Sequence, residues 1–131
     1  MAPRVPRILV LFAVLLGSVP SSAHHNMSAL FDFDQRFVVT GPLTKVDWRN
    51  PHIYLFVHGK DDKGREEDWA FEGPAPTVFR NLNSSRADFD GVAGRDITVE
   101  ASRARDGSAK GLIRIVSLPD GKTVSLCPQN C

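Results

Sequence analysis

The stretch from His52 to His58, HIYLFVH, constrains this chain more than any other. Ile53, Leu55 and Val57 fall on one side of an extended backbone, and His52, Tyr54, Phe56 and His58 fall on the other. REEDWAFE, ending at Glu72, repeats the alternation: Trp69 and Phe71 oppose Asp68, Ala70 and Glu72. The polar DDKG between them predicts an antiparallel hairpin with the odd-numbered residues inward. A one-residue slip would turn every apolar side chain outward, so the pairing must keep parity. A five-residue loop, Lys60 to Gly64, sets His52 opposite Glu72 and His58 opposite Glu66. A three-residue loop with Gly64 as the bulge makes His52 and Glu72 diagonal neighbours instead. Either register holds their Cβ atoms within about 4.5–8 Å.

The rest of the chain is also mostly β. FVVTGPLTKVDW, from Phe37, is rich in β-branched and aromatic residues, with Gly41 and Pro42 marking a bulge or an edge. Asn50-Pro51 is a turn signal. GPAPTVFRNLN reads as a helix opened by its prolines, with Val78, Phe79 and Leu82 on its apolar side. NSSRADFDGVAG is expected to be a mobile loop. RDITVEAS and GLIRIVSL form two further strands and KTVSL a short sixth. The predicted class is mainly β: a small OB-like five- to six-stranded antiparallel barrel with one helix between strands 3 and 4. An open antiparallel sheet with one helix is the alternative; closure is favoured because it removes exposed edges. Trp48 and Trp69 are expected in the core.

The ends speak to location. Arg4 and Arg7, the apolar run ILVLFAVLL and the small residues SSA read as a secretory signal over residues 1–23. An arm over 24–36, the barrel over 37–126 and a tail over 127–131 would follow. The expected location is periplasmic or secreted, with no membrane span after cleavage, because the apolar run is well short of the roughly 20 residues a spanning helix needs. Without Arg4 and Arg7, the 16 basic side chains fall just below the 15 acidic ones. That balance argues against nucleic acid as a partner. Cys127 and Cys131, the only cysteines, read as a short tail staple or as two idle thiols.

Cleavage after Ala23 exposes His24 and His25. A free amine beside two imidazoles supplies nitrogen ligands of the kind copper(II) prefers. The leading expectation is a non-enzymatic metal-binding protein, copper(II) for preference. His24, His25 and His52 would be its ligands, and Glu72 a ligand or the group that orients His52. Its rival is a ligand- or protein-binding module using Tyr54 and Phe56, with the histidines merely solvated. A copper-dependent oxidase is a third reading. There is no nucleophile elbow, no phosphate-binding glycine loop and no Cys-x-x-Cys to identify another chemistry.

AHHNMSALFDFDQRFVVTGPLTKVDWRNPHIYLFV, WAFEGPAP, ARDGSAKGL and VSLPDG together resemble DUF6152, a family of small exported bacterial proteins without an assigned activity. The matching positions include His24, His25, Phe31, Asp32, Gly41, Trp48, Asn50, Pro51, His52, Trp69 and Glu72. They continue through Arg105, Asp106 and Gly107 to Pro119, Asp120 and Gly121. The chain departs from the pattern after the helix, where NSSRADF replaces a Gly-Trp-Thr element. The resemblance implies export and no particular reaction.

Overall fold

A computed structural model describes residues 27–127. The leader, His24, His25 and Cys131 lie outside the described residues. In chain order the elements are α1 (Met27–Leu30), β1 (Phe31–Asp47), β2 (Ile53–Lys60), β3 (Glu66–Gly73), α2 (Pro76–Asn81), α3 (Arg86–Asp90), β4 (Asp96–Ala104), β5 (Lys110–Ser117) and β6 (Thr123–Ser125). The six strands form one sheet in the order β3-β2-β1-β4-β5-β6. A short parallel contact between β3 and β5, centred on Phe71 and Gly111, closes β1–β5 into a ring, and β6 extends the sheet beyond β5. The expected OB-like class therefore holds in a barrel-like, mainly antiparallel form. No helix among the described residues is long and apolar enough to cross a membrane.

The parity of the β2–β3 hairpin is as the alternation requires. Ile53, Leu55, Val57, Trp69 and Phe71 are all at most 1% exposed, and the Trp69 indole N–H donates to the Gly59 carbonyl at 3.0 Å. The register pairs Tyr54 with Glu72 and His58 with Asp68. Asp61 N–H donates to the Arg65 carbonyl at 3.0 Å, and Gly64 takes a positive φ of 78°. This is the three-residue loop, so His52 and Glu72 are diagonal neighbours. The Asp61 carboxylate accepts from the Lys63 and Arg65 amides and pairs with Arg103 of β4 at 2.8 Å. Arg103 in turn lies 4.2 Å over the Phe37 ring, tying the loop to the core.

β1 starts at Phe31 rather than Phe37. Phe31 pairs with Ala104 and Asp32 with Arg103, but the register then shifts before Arg36. That irregularity breaks the period of two and hides the first part of the strand from a reading based on alternation. Further along, the register against β2 shifts between Leu43 and Lys45, just after the Gly41-Pro42 signal. Gly41 is required by a close backbone approach. A Cβ there would stand 1.9 Å from the His58 carbonyl oxygen, so the two strands must separate to admit one. Gly41→Ala is expected to cost about 1–3 kcal/mol, read as a lowered urea midpoint. An unchanged midpoint would mean that the strands part freely.

The connection between β3 and β4 differs from expectation twice. Phe79 is fully buried in α2, but Val78 and Leu82 are 38% and 42% exposed, so the apolar side is narrower than the spacing suggested. The segment expected as a mobile loop contains α3, opened by a capping box: Ser85 and Asp88 each accept from the other's backbone. Phe89 and Val92 are buried beneath it. Phe79 and Phe89 enclose the half-buried Trp48, with ring centroids at 5.0 and 5.4 Å. Lys122 fastens the segment from the far end of the chain, donating to Asp88 at 2.8 Å. That ammonium and the Ser85 amide hold the Asp88 carboxyl below its ordinary range.

Candidate functional site

The turn at Asn50-Pro51, whose peptide bond is cis, delivers His52 to the outer face of the hairpin just before β2 begins. Glu72 reaches the same face from β3. The His52 Nδ1 lies 2.5 Å from Glu72 Oε1, and their side chains are only 29% and 13% exposed. Tyr54 stands between β1 and β3, paired across the strands with Asp47 on one side and Glu72 on the other. Its hydroxyl hydrogen-bonds Glu72; burial, then the Glu72 carboxylate, raises its pKa above that of an ordinary phenol. Arg49 closes a pair with Asp47 at the rim. These groups line a cavity of about 320 Å³.

The His52–Glu72 contact has a chemical consequence. A ring nitrogen this close to a carboxylate carries a proton, so Nδ1–H donates to Glu72, and in the neutral ring the lone pair is left on Nε2. This is how a carboxylate orients an imidazole for a metal. Glu72 thereby serves better to hold His52 than to bind an ion itself.

Helix α1 crosses beside this pair. Leu30 lines the cavity over Tyr54, and Met27 lines a second groove, of about 220 Å³, together with His52, Pro74 and Leu126. Arg105, in the turn between β4 and β5, holds the helix down. Its amide donates to the Leu30 carbonyl at 2.9 Å, its Nε to the Ser28 carbonyl at 2.8 Å, and its Nη1 lies 3.3 Å from Asp32. Neither Met27 nor Arg105 stood out as a site residue in the sequence, although both fall in motifs that did: Met27 two positions after His25, and Arg105 in the Arg-Asp-Gly turn.

His58 does not join the site. It is an exposed side chain paired with Asp68 at 2.8 Å and Glu66 at 3.5 Å; the Asp68 hydrogen bond raises its pKa. Cys127 is disulfide-bonded. No group of three or more His, Cys, Asp or Glu side chains is placed to hold a metal among the described residues. Of the proposed ligand set, the described residues contain His52 and Glu72 and bring them together.

A family model matches residues 13–114, and the chain belongs to that family, DUF6152, a family of unknown function. The match spans His24, His25, His52 and Glu72. No curated protein matches the chain, and no solved structure does.

Proposed function

We propose that this DUF6152 protein is exported, loses residues 1–23, and binds one copper(II) ion through His24, His25 and His52, with Glu72 orienting the His52 ring. The observation that carries this reading is the His52–Glu72 contact of 2.5 Å beside the point where the N-terminal arm enters the fold. Met27 shares a groove with His52, and chain geometry keeps the Cα of His25 within about 7 Å of that of Met27. A chain beginning at His24 would carry two imidazoles and an amine within three residues of Met27, which borders the same groove as His52. Nitrogen donors of this kind select copper(II), which heads the divalent affinity series.

Intact mass of the exported protein should begin at His24. That mature chain should then take up one copper(II) at neutral pH, with affinity falling as pH drops. Ordinary imidazole titrates near about 6.5 and an α-amine near about 7.7–8, and both must lose their protons to bind. Adding a residue before His24 displaces the amine and should weaken uptake; His52→Ala should weaken it further. If only the added residue matters, the site is a tail and the sheet merely carries it. If neither change matters, or the mature chain takes up no copper at neutral pH, the paired histidines have some other use. The half-buried rings of Tyr54 and Phe56, with centroids 6.5 Å apart on the outer face, would then favour an organic ligand.

A further inference from the structure

We infer that the groove between Met27 and His52 is a site for copper(I), held by the Met27 thioether and the His52 Nε2. This goes beyond the copper(II) reading: it shares His52 but does not depend on the His24 amine. A thioether is a soft donor that selects copper(I), whereas copper(II) is satisfied by nitrogen and oxygen. Met27 and His52 line one groove whose other walls are largely apolar, among them Pro74, Leu112 and Leu126. Such walls disfavour a strongly hydrated dication and suit a soft monocation of low coordination number.

The His52 ring and the backbone that carries Met27 are both held in advance. Glu72 fixes the His52 ring through Nδ1 at 2.5 Å. Arg105 fixes α1 by donating to the Ser28 and Leu30 carbonyls at 2.8 and 2.9 Å. The Arg-Asp-Gly turn, which the metal reading otherwise leaves without a role, thus becomes the support for a ligand. Its own shape is set locally: Asp106 accepts from the Ser108 amide at 2.9 Å, and Gly107 takes a φ of 74°.

The test is anaerobic titration of the chain 24–131 with copper(I) against a chromophoric chelator, without thiol reductant, alongside a copper(II) titration. One copper(I) per chain is expected. Met27→Leu should lower copper(I) affinity at least about 10-fold and leave copper(II) affinity unchanged, while His52→Ala lowers both. X-ray absorption at the copper edge should show a sulfur neighbour that Met27→Leu removes. Because disulfide-bonded Cys127 borders the same groove, a chain carrying Cys127→Ser and Cys131→Ser must keep that sulfur neighbour. Loss of the signal in the serine chain, or an unchanged copper(I) affinity in Met27→Leu, overturns the proposal. Copper(I) uptake without copper(II) uptake would sustain it and sink the copper(II) reading alone.

Discussion

Trp69→Ala should fold poorly, whereas Glu72→Ala should fold nearly as well as the parent. The two residues lie three apart on β3 but on opposite faces. Trp69 is 1% exposed and packs against Phe37 at 5.0 Å and Phe71 at 6.3 Å between ring centroids. Truncating a buried indole costs about 3–5 kcal/mol, a large share of the roughly 5–15 kcal/mol that holds a domain together. The Gly59 carbonyl also loses its donor. Glu72 has its partners, His52 and Tyr54, at a cavity open to water, which can hydrate both once the carboxylate is gone. Urea melts decide the matter. Equal losses would overturn the assignment of the even-numbered face as the outer one.

That facing was legible because parity is a hard constraint. Ile53, Leu55, Val57, Trp69 and Phe71 cannot be turned out together at tolerable cost, so alternation alone identifies the inner set. Which loop joins the strands was not legible to the same degree, since a three-residue and a five-residue connection both preserve parity. Gly64 was the discriminating residue: only a left-handed position at the end of a short loop needs it. The site was half legible for the same reason. His52 and Glu72 meet because they share the outer face of paired strands, whereas Met27 and Arg105 meet that face through β1–β4 pairing between distant parts of the chain. No local pattern encodes that approach. The start of β1 was obscured by its bulge. α3 was obscured by composition: Ser, Asn, Asp and Gly suggest a loop, yet Ser85 and Asp88 are the two ends of a capping box, which calls for those same residue types.

The buried position of Phe89 makes α3 a structural element, and its loss should be nearly as costly as that of Trp69. Phe89 is fully buried, with Phe79 at 5.9 Å in an edge-on arrangement and Trp48 at 5.4 Å. Phe89→Ala should remove about 3–5 kcal/mol, while Val78→Ala, on α2, and Leu82→Ala, just past its end, both at exposed positions, should stay within about 0.5 kcal/mol of the parent. Hydrogen exchange separates two ways in which Phe89→Ala can act. If the three rings belong to the main core, amides of β1 and β4 lose protection together with those of α2 and α3. The cluster sits under Trp48, one residue past the end of β1, and the Gly94 amide donates to the Leu43 carbonyl at 2.8 Å, so the joint loss is the expected result. Deprotection confined to residues 76–95 would show instead that the helices open as a unit of their own. A stability loss below about 1 kcal/mol would mean that the segment is the mobile loop its composition suggests.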